Sequence, residues 1–343
     1  MIIRILICTA LCGLSAFGQA GPNGPDPALL RTLLERHKPT AQRFDFAAIG
    51  DQQYGAAGIA KWPALQSSLN RAAGLQFIVH TGDIKSGSTL CDNAMFANRR
   101  QSFDAFEVPM IMTPGDNEWT DCHRENNGSY DSLERLNYLR QIFYPDNQSM
   151  GKRKITLTQQ SEDRRYFKYV ENEMWSQGNV LFATVHIIGS NNNLGRNAAN
   201  DLEWRERTHA NFNWLKTIFS VARDNNFAGV VLVMQINPGF DGPRVRVSQL
   251  DEGARDSFFV IEDEVTNFKK PLLLIHGDSH LFRFDKPLLG ARSGLPMDLL
   301  QRLEVPGSGD VHWVRVGIDP TKPQLFSIEH IDVVENYFVQ TNP

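Results

Sequence analysis

Four short acidic turns each follow an apolar run in this chain. They are Gly50-Asp51-Gln52-Gln53 after residues 46–49, Gly82-Asp83 after 77–79, Gly115-Asp116-Asn117-Glu118 after 110–112, and His276-Gly277-Asp278-Ser279-His280 after 272–275. Side chains at the carboxyl ends of strands in an open α/β sheet converge on one crevice. Several carboxylates meeting there point to metal chemistry.

The elements that must position these turns are strands alternating with helices. Apolar runs of strand length alternate with amphipathic stretches at 61–73 and 98–106, the pattern of βα units around a mainly parallel layer. After Arg164 the pattern changes. Residues 165–170 and 180–186 flank Gly178-Asn179 and read as an antiparallel pair around a turn. A long helix is predicted over 201–223 from the spacing of Trp204, Phe212, Trp214, Leu215, Ile218 and Phe219. Buried strands are expected at 230–234 and 272–275, and closing strands at 311–318 and 325–331.

The chain has 343 residues and a formal net charge of -4, so a general nucleic-acid footprint is not expected. Residues 1–20 read as a signal peptide: Arg4 supplies the basic start, 5–17 the apolar stretch, and Gly18-Gln19-Ala20 the cleavage site. Without that leader no segment is apolar for long enough to span a bilayer. The expected location is periplasmic or secreted. Residues 21–41 form a Pro-rich lead-in with a helical pattern at 28–37, and 42–343 read as one domain. The mature chain keeps Cys91 and Cys122, which an oxidising compartment would join, stapling the loops after Asp83 and Asp116.

The order of Asp51, Asp83, Gly115-Asp116-Asn117-Glu118, the Pro-containing turn after 230–234, and Gly277-Asp278-Ser279-His280 resembles the calcineurin-like metallophosphoesterases, including purple acid phosphatases. The resemblance runs from about Phe44 to Phe284 and implies an αββα sandwich, two mixed β-sheets flanked by helices, with a dinuclear metal centre. It places metal ligands at Asp51, Gln53, Asp83, Asp116, Asn237, Asp278 and His280. It also implies departures from the family pattern. Asp116 stands where the family has Asn, Asp278 replaces a His, and the middle His falls at Ile236, between Gln235 and Asn237. Asn117 replaces the His that steadies the transition state. No Tyr stands beside the bridging Asp, so a purple iron centre is not expected.

Four carboxylates would neutralise two divalent cations, leaving a weaker Lewis acid than the family's centre. The oxygen-rich donor set favours Mg, Mn or Ca over Zn, as one ion or two. The implied activity is hydrolysis of a phosphomonoester or phosphodiester by a metal-activated water. Asn117 is then a hydrogen-bond donor to the phosphoryl group, and His123 or His276 the candidate proton source. Lys85, Arg124 and Arg283 are candidate substrate contacts. The rival reading is a catalytically weak or inactive member that binds a metal or ligand. His80 is expected to orient a carboxylate, His186 to lie in the core, Asn191-Asn192-Asn193 to form a rim loop, Glu118 to accept structural hydrogen bonds and Trp119 to wall the crevice.

Overall fold

The computed structural model describes residues 24–339. The expected signal peptide therefore lies outside the described residues. Fourteen strands follow in chain order: β1 Phe44–Ile49, β2 Leu75–His80, β3 Met110–Met112, β4 Thr158–Gln159, β5 Glu173–Gln177, β6 Val180–Thr184, β7 Gly229–Val233, β8 Val245–Arg246, β9 Leu272–His276, β10 Arg283–Asp285, β11 Leu288–Leu289, β12 Leu300–Glu304, β13 Trp313–Ile318 and β14 Phe326–Ile331. They build a five-stranded sheet in the order β14-β13-β1-β2-β3, a seven-stranded sheet in the order β10-β12-β9-β7-β6-β5-β4, and a small β11-β8 pair. Both large sheets are mixed. Strands β1, β2 and β3 run parallel to one another, as do β6, β7, β9 and β12.

Alternation along the strands explains the layering. In β1, Phe44, Phe46 and Ala48 face Phe182, Val231, Val233, Leu273 and Ile275 of the second sheet, while Ala47 and Ile49 face outward. Those outward residues pack on helices Gly55–Arg71, Asn93–Asp104 and Ser132–Phe143. On the far side, Val230, Leu232 and Met234 pack on helices Ala198–Asp224 and Glu252–Phe268. The result is the αββα sandwich, with an apolar layer between the sheets and one on each outer face.

One expectation changes, and the expected lead-in helix forms. Residues 165–170 do not form a strand: Asp163 accepts from the Arg165 amide and caps a short 3-10 turn, Arg164–Tyr166. The hairpin partner of β6 is β5, joined through Gly178 at φ 57°. The lead-in helix, Pro27–Arg36, is docked, with Leu33 buried in the core beside the helix Ala198–Asp224.

Candidate functional site

The carboxyl ends of β1, β2, β3, β7 and β9 meet at one edge of the sandwich, and the acidic turns meet with them. Asp83 and the Asp116 turn pack so closely that a Cβ on Gly115 would lie 2.1 Å from Asp83 Oδ1. Only a glycine fits there. Glu118 ties the same two turns, accepting from Gly115 N at 2.6 Å and Asp83 N at 3.2 Å. The Asp278 amide donates to Asp51 Oδ1 at 3.0 Å, and His280 Nε2 lies 3.5 Å from the same oxygen. Asp116 and Asp278 both approach Gly189, which follows the end of β6.

Asp83 carries a full set of donors. Its Oδ2 accepts from Asn117 Nδ2 at 2.7 Å, Tyr54 Oη at 2.8 Å and Gln235 Nε2 at 3.3 Å, and its Oδ1 from Asn117 N at 3.1 Å. Gln235 Nε2 also donates to Asp116 Oδ1 at 3.1 Å, so one amide joins two carboxylates. Its orientation is set by the backbone. Gly189 N can only donate, and Gln235 Oε1 accepts from it at 2.5 Å. Ser190 Oγ then closes Asp116 Oδ2 at 2.6 Å.

Burial dominates the electrostatics. It holds the Asp51 and Asp83 carboxyls well above the usual range, with neighbouring carboxylates adding to the effect. Burial likewise raises Asp278 and Glu118 to about 7 and Asp121 to about 6, in each case with Asp116 contributing.

The residues expected to bind metal do not all meet. Asn237 is occupied as a turn residue: its amide donates to Asp278 Oδ2, its Oδ1 accepts from Phe240 N, and its Nδ2 reaches Asp241 and Ser279. Gln53 sits beside the site with Oε1 buried and without a hydrogen-bond partner. Among the described residues, no group of three or more His, Cys, Asp or Glu is arranged to hold a metal ion. In this arrangement Tyr54, Asn117 and Gln235 donate to the Asp83 oxygens that would bridge the expected dinuclear centre.

The other candidates are placed as follows. His276 is fully buried against Phe240, with Nδ1 on Gly277 O, and stands off the crevice. His123 is exposed and bonded to Thr120 O. Lys85 is buried and turned to Ser86 O and Asn127 Oδ1, each at 2.9 Å. Arg124 pairs with Asp121 at 2.6 Å, and Arg283 faces Glu304 and Asp241 at 3.7 and 3.8 Å. Cys91 and Cys122 form a disulfide with Cα atoms 5.7 Å apart. His80 is buried and accepts from Gly82 N at 3.0 Å, holding the Asp83 turn through the backbone and not through a carboxylate. Trp119 does not wall the crevice. It is fully buried between His186 and Arg207.

The sequence matches no protein-family model and no curated protein. Among solved structures it is similar to one described as the structure of PhoD, at 12% identity, covering 86% of this chain and 69% of that chain with a TM-score of 0.50. A second similar structure is GAP50, the anchor in the inner membrane complex of Plasmodium, at 11% identity, 86% and 94% coverage and a TM-score of 0.44. The fold is similar to that of PhoD.

Tyr54, Gln235 and Ser190 also belong to the site, and none of them is among the expected ligands. Gln235 had a signal. Val230, Leu232, Met234 and Ile236 share the helix-facing core, so alternation turns Gln235 away from that core.

Proposed function

We propose that this chain is a non-hydrolytic protein on a phosphoesterase-like fold, whose crevice binds a ligand through a metal-free hydrogen-bond network. One observation carries this reading: the Gln235 amide bonded to both Asp83 and Asp116. An amide in that place supplies hydrogen-bond donors where the dinuclear centre would supply cations. Asn117 and Tyr54 reinforce it by filling Asp83 Oδ2.

The crevice nevertheless keeps the features of a working site. Among the described residues, nine of the twelve non-glycine residues with left-handed backbone lie in its turns or in the adjoining loop: Asp51, Gln53, Asp83, Asp278, His280 and the run Ser190 to Asn193. Each such residue costs roughly 1–3 kcal/mol and persists only where the surroundings enforce it. A decayed crevice would relax that strain. The leader-like residues 1–20 and the Cys91–Cys122 disulfide support export to an oxidising compartment. No helix among the described residues is long and apolar enough to cross a membrane.

A second reading, a metal-dependent phosphoesterase, is favoured by Asp51 Oδ2 and Gln53 Oε1, which are buried without hydrogen-bond partners and are hard oxygen donors. It requires Tyr54, Asn117 and Gln235 to turn off Asp83. Metal analysis of the purified protein after equilibration with Mg, Mn, Ca and Zn separates the two readings, together with hydrolysis of p-nitrophenyl and bis-p-nitrophenyl phosphate. Sub-stoichiometric metal, a melting temperature indifferent to the added ions and no hydrolysis above background are expected. A stoichiometric ion with hydrolysis that Asp83→Asn abolishes would establish the phosphoesterase instead.

A further inference from the structure

The 3-10 turn that replaces the expected strand at 165–170 opens a second site, away from the acidic crevice. Tyr166 and Tyr169 fold inward and pack with Ala210 as a small separate apolar cluster. Phe167 points the other way and is 71% exposed. Between this turn and the helix Ala198–Asp224 lies a depression of about 540 Å³ lined by Tyr166, Phe167, Tyr169, Arg165, Lys168 and Arg205. That volume lies within the usual range for small-molecule sites.

Its chemistry combines rings with positive charge. Arg165 Cζ lies 5.3 Å from the centre of the Tyr166 ring, and Lys168 Nζ 5.5 Å from that of Tyr169. Arg165, Lys168 and Arg205 line the depression; Glu206 pairs with Lys168 and Asp163 with Arg165, so the excess is one positive charge, at Arg205. Arg165 is paired with Asp163 at 2.6 Å, which fixes its fork, and its side chain remains 42% exposed. The chain as a whole carries a net charge of -4, so a depression with a local positive excess runs against its overall sign. A neutral ring alone would leave the Arg205 charge unused, and a bare anion would leave Phe167 in water.

We propose that this depression binds an aromatic anion: a flat ring that stacks on Phe167, carrying a phosphate or similar group that meets Arg165, Lys168 and Arg205. The ring supplies the apolar contact and the anion sets its direction, with stacking on an aromatic side chain and on guanidinium contributing together. The site is independent of the acidic crevice and stands whether or not the crevice binds a metal.

Titration calorimetry of the full-length protein with AMP, adenosine and inorganic phosphate tests it, because each control carries one half of the ligand. AMP is expected to bind at least about tenfold more tightly than either half, the factor one stacked ring supplies. Phe167→Ala and Arg205→Ala should each weaken AMP by about tenfold, since each removes one of the two contacts. Both residues are exposed, so unchanged melting temperatures will show that the fold is intact. Three results would overturn the proposal: no AMP binding at millimolar concentration, inorganic phosphate binding as tightly as AMP, or AMP binding that both variants leave intact.

Discussion

Gln235 donates to Asp116 Oδ1 across 3.1 Å while its own carbonyl is held on the Gly189 amide. The side chain therefore cannot flip without breaking a backbone hydrogen bond, and it presents donors and not acceptors to the carboxylates. Converting it to Glu keeps the shape and the Gly189 contact but turns an oxygen toward Asp83 and Asp116. An unpaired buried charge costs about 3 kcal/mol or more. Gln235→Glu is expected to lower the melting temperature markedly, measured by thermal unfolding at neutral pH. A variant as stable as the wild type would mean that a cation already neutralises the crevice, contrary to the proposed metal-free network.

Asp278 should be more stable as its amide. Burial, with Asp116 beside it, raises its carboxyl to about 7, well above its unfolded value near 3.8. A raised carboxyl contributes stability at low pH and loses it as pH rises from about 4 through 7. Asn can still accept from the Asn237 amide, which reaches Asp278 Oδ2 at 2.8 Å. Asp278→Asn is expected to match the wild type at pH 4 and to exceed it at pH 8, by on the order of 2 kcal/mol. Denaturant titrations at the two pH values measure this. Loss of stability at pH 8 would indicate that Asp278 works as a charged ligand.

The buried histidines act in the opposite direction on acidification. Burial depresses His80 and His276 to about 3 and His186 to about 4. The folded chain keeps them neutral while the unfolded chain protonates them below about 6.5, so each removes about 1.4 kcal/mol per pH unit as pH falls below that value. His80 Nδ1 accepts from Gly82 N at 3.0 Å, a bond that an Asn oxygen can imitate. His80→Asn should therefore flatten the acid limb of the stability curve by about one proton. An unchanged slope between pH 4 and 6 would show that His80 is protonated in the fold.

The layers and the acidic turns were legible in the sequence because both rest on periodicity. Alternation along β1 and β7 assigns each side chain to the inter-sheet core or to a helix face, and the turns follow directly. The expected disulfide also forms, at Cys91 and Cys122. The network around Asp83 was not legible, because it depends on which donors three separate loops bring within reach. Tyr54 reaches Asp83 Oδ2 from the loop after β1 and Gln235 from the loop after β7, and nothing in either local pattern marks a partner so far away. The strand expected at 165–170 failed for a local reason. Its aromatic content suits a strand, but Asp163 caps the Arg165 amide and turns the chain. Helix Ser132–Phe143 carries a local start signal, Asp131, which accepts from the Glu134 amide.

The left-handed run from Ser190 to Asn193 is held from outside, and that support can be removed by one methyl group. Four consecutive residues with φ between 50° and 71° form one left-handed turn, a conformation that costs most L-residues roughly 1–2 kcal/mol and Asn less. Arg207 donates to Asn192 Oδ1 at 2.6 Å and to Asn192 O at 3.0 Å, and Asn192 Nδ2 reaches Gly253 O at 2.9 Å. Gly253 N returns a bond to Asn191 Oδ1 at 2.9 Å, and a Cβ on Gly253 would lie 2.0 Å from Asn191 O. Gly253→Ala must therefore push the run off the helix Glu252–Phe268, which breaks both contacts and frees Ser190 from Asp116. The expected result is faster amide hydrogen exchange across residues 189–194 with little change in the inter-sheet core, and a stability loss of about 2–3 kcal/mol. Protection in the run equal to that of the wild type would show that the turn holds its shape without the Gly253 contact, and that its strain is supported from within the crevice.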